Sequence, residues 1–166
     1  MRIRTLLPAD AAAFQVLRLQ ALREDPVAFA SSYEEERDTP LLIVAQRLQP
    51  RDDRAIVGSF DGDQLVGLAA WHREEMRKMH HKGFVWGVFV APSHRGQGLA
   101  RLLLQQVIAL ARCADGILQL NLTAAAGNAP ALALYESLGF VAYGREAAAI
   151  CVDGMLHDDV HLALRL

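Results

Sequence analysis

The chain has 166 residues, 52% of them hydrophobic, and 17 Lys and Arg against 19 Asp and Glu give a formal net charge of −2 at pH 7. That is about one domain of chain with enough apolar content for a sizeable core. It excludes a disordered chain, which needs low apolar content and a large net charge, and a strongly basic nucleic-acid binder. Fifteen of the 17 basic residues are Arg, so local basic patches remain open. The two cysteines, Cys113 and Cys151, fit no CxxC motif and are too few for a disulfide-dense scaffold. Reduced thiols and a cytoplasmic setting are expected. Met1 to Pro8 holds no apolar signal core, and no run approaches the roughly 18 apolar residues of a membrane span.

In chain order, Arg2 to Leu6 alternates as a half-buried strand does. Pro8 breaks it, and Asp10 is placed to cap a helix through Leu22, with Phe14, Leu17, Ala21 and the stem of Arg18 at helical spacing. Pro26 ends that helix or starts a second one reaching Glu34-Glu35-Glu36. Leu41 to Leu48 suits another short helix before Pro50. Ala55 to Phe60 and Leu65 to Trp71 flank the turn Asp61-Gly62-Asp63-Gln64, a strong hairpin signal. Arg73 to Lys82 is polar and is expected to be exposed loop. Phe84 to Val90 is almost wholly apolar, as in a mid-sheet strand covered on both faces. A glycine-rich turn, Pro92 to Gly98, then opens a helix from about Leu99 to Cys113, with Leu102, Leu103, Val107 and Leu110 as its apolar stripe. Ile117 to Leu122 alternates as a strand. Gly127-Asn128 starts a helix that Gly139 ends. Strands over Phe140 to Ala148 and Met155 to Leu164 surround the turn Asp153-Gly154. A single α/β domain over 1–166, a mixed sheet with helices on both faces, accounts for this pattern.

The segment Phe84 to Leu103 is the most informative. A strand ends at Val90, a glycine turn follows, and a helix begins. The first four N–H groups of a helix lack internal partners and sit at the positive end of its dipole, which suits phosphate or pyrophosphate. Gly96 and Gly98 admit close backbone approach, and Arg95 adds positive charge. A plain tight connection would need only the glycines; Arg95 at the open end of a strand adds a reason for an anion. The Gly-Lys-Ser/Thr ending of a phosphate-binding NTPase loop is absent. A dinucleotide fingerprint would want glycine where Arg101 stands, with an acidic residue near position 120. Both nucleotide classes match poorly. A second constellation follows: Asn128 at a helix start, Ala131, and Tyr135 two turns down the same side.

Arg95-Gly96-Gln97-Gly98-Leu99-Ala100 resembles the Gln/Arg-x-x-Gly-x-Gly/Ala acyl-CoA signature of the GCN5-related N-acetyltransferase (GNAT) family. Asn128 to Phe140 is similar to that family's later Asn-x-x-Ala-x-x-Leu-Tyr-x-x-x-Gly-Phe pattern, and the order of elements resembles its seven-stranded plan. The resemblance implies an acyl-CoA N-acyltransferase fold whose sheet splays at the cofactor site, between Phe84–Val90 and Ile117–Leu122. It implies acetyl-CoA as cofactor, released as CoA. The pyrophosphate would rest on N–H groups of Arg95, Gly96, Gln97, Gly98, Leu99 and Ala100. Backbone groups of Phe89 and Val90 would face the pantetheine arm and acetyl carbonyl, where an N–H stabilises developing negative charge. Asn128 and Ala131 would adjoin the cofactor arm. Tyr135 would be the general acid that protonates the leaving sulfur.

The family often carries a Glu on the strand at or before the splay; Trp86-Gly87-Val88 offers none, so the base stays open among Glu34, Glu35, Glu36, His72, Glu74 and Glu75. Adjacent His80-His81 point to opposite faces if on a strand, and no zinc spacing is present, so no metal is expected. The implied activity is acetyl transfer to a primary amine by direct attack in a ternary complex, with a small molecule or amino-acid-like acceptor. Transfer to a protein or peptide and a non-catalytic acyl-CoA-binding domain are the alternatives. Neither nucleic acid nor membrane is expected as a partner. Val152, Met155 and Leu162 on the last strands suggest a homodimer.

Overall fold

The computed structural model describes residues 1–166. The alternating N-terminal segment forms β1 (Arg2–Thr5), the edge of a seven-stranded sheet. The other strands are β2 (Arg54–Asp61), β3 (Gln64–Arg73), β4 (Lys82–Val90), β5 (Gln119–Ala125), β6 (Val141–Val152) and β7 (Met155–Arg165). They lie in the order β1-β2-β3-β4-β5-β7-β6. Only β4 and β5 run parallel; every other neighbouring pair is antiparallel. Parallel neighbours need a long crossover, and helix α4 (Leu99–Cys113) supplies it.

Helices cover both faces. On one, α1 (Ala11–Glu24) turns Phe14, Leu17, Ala21 and Leu22 onto Ile56, Leu68 and Phe89, with Val44 of α3 (Leu41–Arg47) beside them. On the other, α4 packs Leu103, Leu104, Val107 and Ile108 against Val57, Val66 and Val85. Helix α5 (Ala129–Ser137) adds Tyr135 to that second core. Each buried Leu or Val contributes roughly 1.5–3 kcal/mol.

Several expectations shift in detail. The stripe of α4 is Leu99, Leu103, Leu104, Val107, Ile108 and Ala111, while Leu102 is 46% exposed. A helix turns 100° per residue, so Leu102 lies off the face that Leu99 and Leu103 share. Asp10 precedes α1 without capping it; its carboxylate instead accepts from Leu7 N at 2.7 Å and pairs with Arg4. Pro26 starts no long helix. A 3-10 turn, Pro26–Ala28, and a single helical turn, α2 (Tyr33–Glu36), stand there. Ser32 caps α2 in a reciprocal box with Glu35, which breaks the segment in two. Residues 73 to 82 are only partly loop, since β3 runs to Arg73 and β4 begins at Lys82. Strand β5 begins two residues late, at Gln119, and β6 runs on to Val152. Asp153 and Gly154 both take positive φ, 50° and 78°, as a two-residue hairpin turn requires.

The apolar run of β4 is not fully covered. Val85 and Phe89 are buried, but Phe84, Trp86 and Val88 are only half-buried, because all three border a cavity. Leu162 lies in the core and cannot serve a homodimer contact, whereas Met155 is exposed.

Candidate active site

Strands β4 and β5 are paired only at Lys82↔Gln119, Gly83↔Leu120 and Phe84↔Asn121. Beyond these pairs the two strands diverge, leaving Val85–Val90 and Leu122–Ala125 without strand pairing across the gap. Backbone groups on such edges are ready to bond an extended chain as an added strand would. A bulge sharpens the divergence: Leu68↔Phe89 is followed by Ala70↔Trp86, so β4 spends three residues where β3 spends two. Gly87 sits in that extra step with φ of 67°, a conformation glycine adopts without the Cβ penalty.

The gap opens into a cavity of about 860 Å³ lined by β4, the β4–α4 turn, β5 and α5. Of the sequence-derived residues, Phe89, Val90, Arg95, Gly96, Gly98, Leu99, Ala100, Asn128, Ala131 and Tyr135 line it together. Gln97 does not. Gly96 and Gly98 take φ of 76° and 77°, and a Cβ on either would meet nothing within 4 Å. They are small because of the space in front of them and the left-handed backbone, not because of protein neighbours. Gly98 is the N-cap of the 15-residue α4, without a side-chain cap, so the first N–H groups of that helix await an external acceptor.

Arg95 corrects the simplest sequence picture. Its guanidinium is not a free cation in the cradle. Nε donates to the Val90 carbonyl at 3.0 Å and Nη2 to Asp25 at 2.8 Å, and the group lies over the Phe89 ring at 5.5 Å. It ties the turn to the end of α1, and it occupies the Val90 carbonyl. The cavity has a further cation, Arg101, which donates to Ser137 Oγ at 2.7 Å. Its place in the first turn of α4 is legible in the sequence.

Asn128 is the N-cap of α5: Oδ1 accepts from Ala131 N at 3.2 Å. Its side-chain oxygen is thus committed to the helix. Ala131 is half-buried in the cavity wall. Tyr135 is buried to 7% exposure and packs edge-on against Phe140, with ring centroids 6.0 Å apart. Burial alone pushes its phenol up to about 12, so the hydroxyl keeps its proton at neutral pH and can donate it.

Behind β4 lies a second cavity of about 890 Å³, adjoining the first. Charged side chains dominate it: Arg18, Arg47, Arg51, Arg54 and Arg73 against Glu36, Asp53, Glu74 and Glu75, with His72 and His80. Arg18 is 6% exposed and clamps Glu36 with Nε and Nη2 at 3.1 and 2.8 Å. Burial raises the Glu36 pKa, but the two bonds and the charge of Arg18 outweigh it and hold the carboxyl below the usual range. Arg18 also lies over Phe29 and Trp86, and its Nη1 is buried without a partner. The sequence marked Arg18 only for its aliphatic stem; nothing local signalled a buried guanidinium. Of the base candidates from the sequence, Glu36, His72, Glu74 and Glu75 line this chamber, and Glu34 and Glu35 line neither space.

No group of three or more His, Cys, Asp and Glu side chains is arranged to hold a metal ion. No helix is long and apolar enough to cross a membrane.

A model of the acetyltransferase (GNAT) family matches residues 19–140. No curated protein matches the chain significantly. Among solved structures, a GNAT-family acetyltransferase from Streptococcus pneumoniae superimposes with a TM-score of 0.90 at 19% identity, covering 99% of this chain and 98% of that one. The ribosomal-protein-alanine N-acetyltransferase of Brucella melitensis gives 0.81 at 24% identity over 100% of both chains. The yncA protein of Salmonella typhimurium, whose structure holds its cofactor acetyl-CoA, gives 0.82 at 23% identity over 100% and 94%.

Proposed function

The chain belongs to the GNAT acetyltransferase family, and from that premise we propose that it acetylates the primary amine of a small, amino-acid-like acceptor. Acetyl-CoA is the acetyl donor of this family; when bound it supplies an electrophilic thioester carbonyl and a thiol leaving group. One observation carries the reading: two strands with facing unpaired edges open onto a bare helix N-terminus, with a polar chamber directly behind. The unpaired edges fit an extended arm, and the free N–H groups of the Gly96–Ala100 turn fit its phosphates. The space in front of Gly96 and Gly98 lets those phosphates approach.

In this reading Phe89 and Val90 orient the arm through their backbone. The Val90 carbonyl is already used by Arg95, so the backbone N–H groups along the β4 edge carry that task. Arg101 supplies the cradle's available positive charge, and Arg95 braces the turn. Tyr135 holds a proton on its phenol oxygen, within the wall of the split, ready for the departing sulfur.

The acceptor enters through the chamber behind β4. Arg47 on one side, with Glu74 and Glu75 on another, line it without ion-pair partners of their own. A molecule carrying both an ammonium and a carboxylate matches that layout. The runner-up is transfer to a peptide N-terminus, favoured by the likeness in fold to the Brucella enzyme. Free, exposed Cys113 and Cys151 suit a reducing compartment, so the cytoplasm is the proposed place of action. The exposed Val141 and Tyr143 on edge strand β6, with Met155 and Leu156 on β7, support self-association there, which sedimentation would read.

Thiol release from acetyl-CoA, measured against amino acids, polyamines, other small amines and N-terminal peptides, tests the proposal. Release that depends on amino acids, with acetylated product identified by mass, is the expected result. Release only with peptides selects the runner-up. Confirmed acetyl-CoA binding without amine-dependent release would leave a non-catalytic acyl-CoA sensor.

A further inference from the structure

We propose that His72, in the wall between the two cavities, is the general base that takes the proton from the acceptor ammonium. The inference rests on the amine-acetyltransfer reading above. Four residues line both spaces: Arg18, Ser31, His72 and Trp86. A base has to meet the acceptor on one side and the reacting carbonyl on the other, so it belongs in that shared wall. Among the four, only an imidazole takes up and gives back a proton near neutral pH. Arg18 is permanently cationic, and the serine and indole lack a basic group.

The carboxylates are less suited. Glu36 is clamped by Arg18. Glu35 accepts from Ser32 N at 2.7 Å, outside both spaces. Glu74 and Glu75 line only the outer chamber. Strand β4 carries no carboxylate at all through Phe84–Val90.

The fold holds the imidazole in place. His72 is next to last in β3, across from Arg54 on β2 and Phe84 on β4. Its ring lies 6.0 Å from the Phe84 ring, tilted by 39°. The charged groups sharing its chamber are Arg18, Glu36 and Arg47 from the helical face, and Arg51, Asp53 and Arg54 at the start of β2. Arg73, Glu74, Glu75 and His80 follow His72 itself. Burial lowers the ring's proton affinity, Arg54 adds to that, and Glu74, Glu75 and Asp53 act against it; the net shift is downward. The shift favours the unprotonated ring, with a lone pair to offer. Trp86, in the same wall, packs toward the α1-side core, while Tyr135 belongs to the α4-side core. Base and acid thus approach the split from opposite faces of the sheet.

The proton balance closes. The acceptor arrives with three protons on nitrogen. One passes to the His72 ring and then to solvent. The freed lone pair forms the C–N bond as the C–S bond breaks. Tyr135 gives its proton to the sulfur and is restored by one of the two left on nitrogen. The products are an amide, a thiol and one released proton.

The test compares wild type with His72→Gln and His72→Asn, using α-amino acids and hydroxylamine as acceptors. Amino-acid nitrogens are ammonium at pH 7, whereas hydroxylamine is already largely neutral. The expected result is a fall in kcat/KM of about 10²–10³-fold for amino acids, with the acid limb of the pH profile lost and acetyl-CoA affinity unchanged. With hydroxylamine the fall shrinks below about tenfold, since no proton needs removing before attack. Equal losses with both acceptors, or no loss with the acid limb intact, would overturn the assignment. Ring ¹⁵N resonances of the wild-type protein give a readout independent of any variant's folding: a His72 ring still protonated at pH 7 would overturn it too. A wild-type protein that releases no thiol with any amine would overturn the transfer reading and the base with it. An active wild type with an unimpaired His72→Gln would overturn the base alone.

Discussion

In the proposed reading the β4–α4 turn and the chamber behind β4 both hold polar ligands, by opposite means. The turn works with backbone. Gly96 and Gly98 face open space, and the start of α4 presents N–H groups that no side chain caps. The chamber works with side chains drawn from α1, α2, α3, β2, β3 and the connection after β3. Its charges are mostly spent on each other, as in Arg18–Glu36 and Arg51–Asp53. A backbone site is specified by a few adjacent residues and serves any ligand with the same phosphates. A side-chain site needs distant segments and can be rebuilt for a new acceptor without touching the cradle.

Substitutions can break that contrast at different strengths. The largest effect is expected from Gly98→Asp. Two like charges about 4 Å apart cost roughly 4 kcal/mol at an effective dielectric of 20, so acetyl-CoA affinity should fall about a thousandfold by calorimetry. An unchanged affinity in a folded variant would remove the cradle. Glu36→Gln comes next, acting on the chamber through stability. It leaves the buried Arg18 guanidinium unneutralised, and the cost should be about 3 kcal/mol in denaturant unfolding. The folded Glu36 carboxyl sits below its unfolded value of 4.5. The stabilisation it brings is therefore complete above that pH and lost as pH falls through the depressed folded value. Glu36→Gln should flatten that part of the acid limb of stability; a parallel curve for the two proteins would show that the pair does not contribute.

Tyr135→Phe sharpens the comparison from the cradle's side. Affinity for acetyl-CoA should hold while kcat drops about 10²-fold, and an unchanged turnover would end the acid role of this hydroxyl. The smallest change is expected from Asn128→Ala. Loss of the bond to Ala131 N removes a helix cap worth about 1 kcal/mol, which a melting curve resolves; a loss of acetyl-CoA affinity larger than that would show Asn128 to bind the cofactor directly.

The residues themselves showed how unevenly a sequence speaks. The hairpin at Asp61–Gln64, the turn at Asp153-Gly154 and the strand–glycine–helix run from Phe84 to Leu103 were legible, because each depends on local backbone geometry. Ser32 and Glu35 carry a local capping signal that separates α2 from the preceding turn. The positive charge of Arg95 is legible, but its partner Asp25 stands 70 positions earlier, and only the fold ties the two together.

By itself the sequence determined the order of elements, the mixed sheet and the strand–glycine–helix turn proposed as an anion cradle. Period-2 and period-3.6 patterning and glycine at positive φ act between near neighbours. Tertiary structure alone decided where β4 and β5 part, the burial of the Arg18 guanidinium against Glu36, and the position of His72 between two cavities. Those features depend on segments far apart in the chain, whose meeting is set by packing the whole sheet and both helical layers at once.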